Sequence, residues 1–97
     1  MNVTYDQRTA KQFRSLDKVD KAKVTKVIGL FERYEFLLTD VHLKKLTTEL
    51  WELRAGRWRL LFGVINNEAT IVTLFTKQTQ KTPTQEIETA KKYSKFP

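Results

Sequence analysis

Three short apolar runs separated by turn signals occupy the middle of the chain, and they restrict the fold more than any other feature. Residues 49–54 (Glu-Leu-Trp-Glu-Leu-Arg) alternate partly, residues 58–65 (Trp-Arg-Leu-Leu-Phe-Gly-Val-Ile) are a mostly apolar run, and residues 70–76 (Thr-Ile-Val-Thr-Leu-Phe-Thr) are rich in the β-branched and aromatic side chains that suit a pleated, half-buried surface. Between them, Ala55-Gly56-Arg57 and Asn66-Asn67-Glu68 supply residues that tolerate a positive φ. The runs are therefore expected to fold back on one another as an antiparallel meander, and the apolar side of that sheet must be covered.

The rest of the chain supplies the cover. Asn2–Tyr5 reads as a short opening strand, and Asp6 is placed to cap a short helix that turns Ala10, Phe13 and Leu16 inward. After a link at Asp17–Asp20, Val24, Val27, Ile28, Phe31 and Tyr34 recur at spacings of three and four, with Lys21, Lys23, Lys26 and Arg33 mainly on the other face. This is the pattern of a longer amphipathic helix. From Phe36 to Thr48 the periodicity breaks, and a connecting loop with Leu37, Leu43 and Leu46 beneath it is expected. In Thr82-Pro83-Thr84-Gln85 the threonine can cap, the proline fits a first helical position and the glutamine completes a capping box, so a helix from Pro83 to about Tyr93 is predicted. The predicted order is strand, helix, helix, three strands, helix. It implies one α+β domain over residues 1–97, a small, mainly antiparallel sheet with helices packed on one face.

Composition narrows the chemistry. The chain has 97 residues and a formal charge of +7, with eight basic and six acidic residues in 1–41 but ten basic and five acidic in 42–97. The excess thus accompanies the strands, and a field of that sign favours anionic partners. With no cysteine and one histidine, disulfides, thiolate chemistry and a thiolate–imidazole zinc site are excluded, and neither a metal nor a cofactor is expected. No apolar run approaches the ~20 residues of a membrane span, and the start of the chain lacks the apolar stretch of a signal peptide, so a cytoplasmic protein without membrane contact is expected.

Strand parity then points to a site. If Trp58, Leu60, Phe62 and Val64 face the helices, Arg59 must emerge on the opposite, open face of the sheet. The hairpin at 55–57 brings Arg54, Arg57 and Arg59 together, Lys77 ends the last strand, and Lys81 lies in the loop before the final helix. Guanidinium groups grip phosphate oxygens in a bidentate fork, and an exposed indole at Trp51 or Trp58 can stack a base. Against this stands the ordinary behaviour of such residues: strand Arg and Lys are mostly solvated, and a strand Trp in a small domain is mostly core. Glu49 and Glu52 read as charges that balance the cations. No carboxylate pair has the arrangement of a metal nuclease, and His42 reads as a surface or packing residue.

The words Leu50-Trp51-Glu52-Leu53-Arg54, Gly56-Arg57-Trp58-Arg59-Leu60-Leu61-Phe62, and Phe75-Thr76-Lys77 running through Thr79-Gln80-Lys81-Thr82-Pro83 to Glu86-Ile87 and Ala90 resemble the phage-related, HigB-type branch of the RelE/ParE toxin superfamily. The order of elements matches that superfamily over essentially the whole chain. The resemblance implies the toxin of a type II toxin–antitoxin pair, an endoribonuclease that cuts messenger RNA on the ribosome without a metal. It assigns Arg59 to the scissile phosphate, Arg54 to a second arginine of the site, and Lys77 and Lys81 to charge stabilisation or proton donation. Arg57, Trp51, Lys45 and Gln78 are the expected RNA contacts. The implied partner is a HigA-like helix-turn-helix antitoxin, through which alone operator DNA would be bound. Two departures are visible: RelE presents lysines where Leu50 and Glu52 stand here, and a tyrosine where the final helix has Ile87. The general base is left open. A ParE-like gyrase inhibitor and a non-catalytic RNA- or ribosome-binding module are the alternatives.

Overall fold

The computed structural model describes residues 1–78 and 82–93. Strand β1 (Asn2–Tyr5) leads into helix α1 (Gln7–Arg14) and the longer helix α2 (Lys18–Tyr34), which a single 3-10 turn at Glu35–Leu37 closes. Strands β2 (Leu43–Lys45), β3 (Trp51–Ala55), β4 (Trp58–Ile65) and β5 (Glu68–Thr76) follow, and helix α3 (Thr84–Tyr93) ends the described part. The five strands form one sheet in the order β1-β5-β4-β3-β2, in which β1 runs parallel to β5 and every other pair is antiparallel.

The local chemistry explains these elements. Asp6 and Asp17 accept from the backbone N–H of Thr9 and Asp20, each at 2.8 Å, and so satisfy donors that the first helical turns leave free. Thr9, fully buried on α1, donates its hydroxyl to the Ile71 carbonyl at 2.7 Å and ties that helix to β5. The β3–β4 hairpin turns through Gly56 at φ +62, and the β4–β5 hairpin through Asn66 and Asn67 at φ 52 and 62. Two consecutive left-handed residues are what a tight I′ turn requires. Val24, Val27 and Phe31 of α2 are buried against Leu53, Leu60, Phe62 and Ile71, with the Phe31 and Phe62 rings 4.8 Å apart. The α2 stripe is as expected except at Tyr34, which is 43% exposed.

Two expectations are corrected. Residues 36–48 are not wholly a loop, because Leu43–Lys45 pairs with β3 as an edge strand, Leu43 opposite Leu53 and Lys45 opposite Trp51. The strand is too short for periodicity to announce it. Nor do all helices pack on one face. Helices α1 and α2 cover one side, whereas α3 seats Ala90 and Ile87 on Leu50, Leu61 and Val72 on the other. The cause lies in β4 and β5, where Leu60, Leu61 and Phe62, and Ile71 and Val72, are buried in succession. Unbroken apolar runs mark strands covered on both sides.

Candidate functional site

The face that carries α3 also carries the charged residues of the hairpin. Along β3, Leu53 and Ala55 turn to α2 while Glu52 and Arg54 turn away, and along β4, Trp58, Leu60 and Phe62 turn to α2 while Arg59 and Leu61 turn away. The register puts Arg54 directly opposite Arg59, and Lys44 opposite Glu52. Facing like charges repel. Here the fully buried Glu52 offsets them: its Oε1 lies 3.0 Å from Arg54 Nε and 3.9 Å from Arg59 Nε.

Each guanidinium is held a second time by backbone. Arg54 Nη1 donates to the Asp40 carbonyl at 3.0 Å, and Arg59 Nη1 donates to the carbonyls of Gly56 at 2.6 Å and Trp58 at 2.9 Å. The side chain of Arg59 is only 13% exposed, so the expectation that it stands on an open face is corrected: the face is the predicted one, but the residue is partly enclosed. Burial lowers the Arg59 pKa, Glu52 opposes that shift, and Arg54 adds to it; a guanidinium so placed stays charged. Lys77, just beyond β5, joins the cluster. Loss of hydration lowers its pKa, Glu52 partly opposes this, and Arg59, Arg54 and Lys44 reinforce it. The Thr82 hydroxyl donates to Glu52 Oε2, so the threonine read as a helix cap is bonded to the floor of the site.

Of the predicted residues, then, Arg54, Arg59 and Lys77 come together. Arg57 and Gln78 line a different hollow, of about 330 Å³, with Asp20, Lys23, Trp58 and Thr76 on the α2 side. Trp51 also lies on that side, its ring 4.7 Å from that of Phe36, with Lys45 Nζ 5.4 Å above it. The picture of Trp51 and Trp58 flanking the arginines is therefore corrected, since strand parity turns both indoles to the opposite face. Lys81 lies outside the described residues. Among the described residues no group of three or more His, Cys, Asp and Glu could hold a metal ion. A larger groove, of about 1210 Å³, lies elsewhere, lined by Arg8, Gly63, Thr70, Val72 and Tyr93 among others, and contains none of the three clustered cations.

The family whose model matches residues 11–95 is described as Phage derived protein Gp49-like. The chain belongs to that family. No curated protein matches it in sequence. Among solved structures, this Gp49-like chain is similar to the toxin RelE of E. coli, a double arginine mutant in the free state, with a TM-score of 0.65 at 18% identity over 94% of each chain. It is also similar to a chain of the archaeal RelE–RelB complex from Pyrococcus horikoshii OT3, with a TM-score of 0.64 at 19% identity over 79% of this chain and 94% of the other. The same E. coli RelE mutant in complex with the antitoxin RelBc peptide gives a TM-score of 0.57 at 16% identity, over 99% of this chain and 97% of that one. The Gp49-like chain thus has the fold of these RelE toxins.

Three residues of the Gp49-like site escaped the sequence reading. Lys44 belongs to the site through β2, and only a strand gives the parity that separates Lys44 from its neighbour Lys45. Glu52 reads in sequence as a balancing charge, although its spacing of two from Arg54 puts both on one face. Thr82 gave no signal of its role, because its partner is thirty residues away in sequence.

Proposed function

We propose that this chain is the toxin of a type II toxin–antitoxin pair, an endoribonuclease that cuts messenger RNA on the ribosome without a metal. The observation that carries this reading is the facing pair Arg54 and Arg59, held from below by Glu52 with Lys77 alongside. In the reaction, the ribose 2′-oxygen forms a bond to the adjacent phosphorus and the bond from phosphorus to the 5′-oxygen breaks, leaving a cyclic phosphate and a 5′-hydroxyl. Charge builds on the phosphate as this happens, and preorganised cations aimed at it stabilise the transition state. Arg59 and Arg54 take that part. Lys77 donates the proton that the leaving 5′-oxygen needs, and its lowered pKa brings it closer to the range in which an ammonium gives up a proton readily. Lys81 is assigned a supporting charge, and Arg57 and Gln78, at the hairpin end of the sheet, contact RNA beyond the scissile position; Trp51 and Lys45, turned to the other face, are not assigned to it. The group that takes the 2′-proton is unassigned.

The RelE relatives whose structures are described with RelB and RelBc support a cognate antitoxin for this chain. We assign it a HigA-like helix-turn-helix protein that carries the operator contacts of the complex. Inducing the chain alone in a bacterial host and mapping transcript ends tests the proposal. Cuts within translated codons are expected. DNA damage without cuts would replace it with gyrase inhibition, and growth arrest with neither would replace it with ribosome binding alone.

A further inference from the structure

Glu52 is fully buried, yet it hydrogen-bonds to Arg54 and Thr82 and forms a longer ion pair with Arg59. Oε1 faces Arg54 on its own strand and Arg59 on β4, and Oε2 accepts from Thr82 on the way into α3. A residue that only balanced surface charge would need no burial and no such set of partners, because an exposed carboxylate does that at less desolvation cost. The guanidinium is a rigid plane with five donors, so fixing two of its nitrogens fixes the third. Arg54 is fixed at Nε by Glu52 and at Nη1 by Asp40, and Arg59 faces Glu52 with Nε and is fixed at Nη1 by Gly56 and Trp58. In both, Nη2 makes no hydrogen bond among the described residues. Arg59 Nε is itself buried without a hydrogen-bond partner, 3.9 Å from the carboxylate, so a small movement on binding would complete that bond.

We propose that Glu52 is a positioning residue: its buried carboxylate sets Arg54 and Arg59 side by side and presents the Nη2 of each to the same phosphate group, with Thr82 holding the carboxylate in place. This rests on the nuclease reading for its consequence, but the positioning itself can be measured without it. The anion also weakens the local positive field. Its removal should therefore strengthen RNA binding while it slows the chemistry, a split that neither misfolding nor simple charge balance produces.

The test compares wild type with Glu52→Gln, which keeps the shape and the acceptor but not the charge, and with Thr82→Val, which removes one bond to the carboxylate. Single-turnover cleavage of a message on programmed ribosomes should fall about a hundredfold in Glu52→Gln and about tenfold in Thr82→Val. Affinity of the free proteins for a short RNA with a 2′-deoxy scissile nucleotide should be unchanged or, for Glu52→Gln, up to about tenfold tighter. A folded Glu52→Gln protein that cuts within about threefold of wild type overturns the proposal. If Glu52→Gln does not fold, Thr82→Val decides: slowed cleavage with intact binding supports the proposal, and wild-type cleavage overturns it. Nitrogen-15 NMR of the arginine Nε–H groups separates this from the nuclease reading. Arg54 and Arg59 should exchange with water far more slowly than the exposed Arg57, and Thr82→Val should accelerate both. If both match Arg57 in the wild type, positioning fails even if RNA is cut; if they are protected but no RNA is cut, positioning stands and the nuclease reading falls.

Discussion

Arg59 and Lys77 differ in how they are held, and their variants should differ accordingly. Arg59 is 13% exposed and bonds two carbonyls of its own hairpin, so it contributes to the fold as well as to the site. Arg59→Ala should lower single-turnover cleavage by about two to three orders of magnitude. Because Arg54 still partners Glu52, the accompanying loss of stability should be modest, about 1–2 kcal/mol by urea denaturation. A properly folded Arg59→Ala protein that arrests growth like wild type would remove the assignment. In the proposed reaction Lys77 acts in its protonated form. Its pKa is lowered, first by loss of hydration and then by Arg59, Arg54 and Lys44 against Glu52. Cleavage should therefore decline as pH rises through a value below that of an ordinary lysine. In Lys77→Arg the decline should move out of the accessible range, with a lower rate throughout, since arginine stays charged but is a poor proton donor. A profile identical in wild type and Lys77→Arg would transfer the donor role to another group.

At the scale of elements, α3 and the outward side of β4 form a second core of Leu50, Leu61, Val72 and Ala90, which decides whether the floor of the site is closed. Leu61→Ala should cost about 2–4 kcal/mol by denaturant unfolding. A loss below about 1 kcal/mol would mean that α3 does not seat there. This second core marks where legibility in the sequence stopped. Hairpins and the first cap are legible, because Gly56, Asn66, Asn67 and Asp6 act on neighbours a few residues away, whereas Asp17, read as part of a link, caps α2. The meander, the α2 stripe and the face taken by Arg59 followed from the same local rules, and with them the trio Arg54, Arg59 and Lys77. Contacts between distant segments did not follow. The three-residue strand β2 exists because β3 offers it an edge, α3 chose its face because β4 and β5 are apolar on both sides, and Thr82 reaches Glu52 across the chain. Trp51 shows the converse: alternation along β3 sets it opposite in face to Glu52 and Arg54, and its ring pairs with Phe36 and not with the arginines.

For the whole molecule, the balance of +7 bears on partners of opposite charge. RNA affinity should fall steeply with salt, with a slope that reports the number of phosphates engaged. The same field makes an acidic protein segment a fast and tight ligand. A chain that cuts cellular messages would arrest its own host unless a partner blocked or reshaped the cationic face, and Arg54, Arg59 and Lys77 are close enough together for one short segment to cover them. We therefore expect that co-expression with the protein encoded in the adjacent small open reading frame relieves growth arrest, and that a tag on this chain recovers the partner. The purified pair should bind operator DNA while this chain alone binds it only in the non-specific, salt-sensitive way of any basic protein. Charge reversal at Lys77 should weaken the pair if the partner occupies the cationic face. It should leave the pair intact if the partner grips another surface and acts at a distance. Persistent toxicity with no partner recovered would overturn the toxin–antitoxin reading, because the charge would then serve RNA or ribosome binding alone.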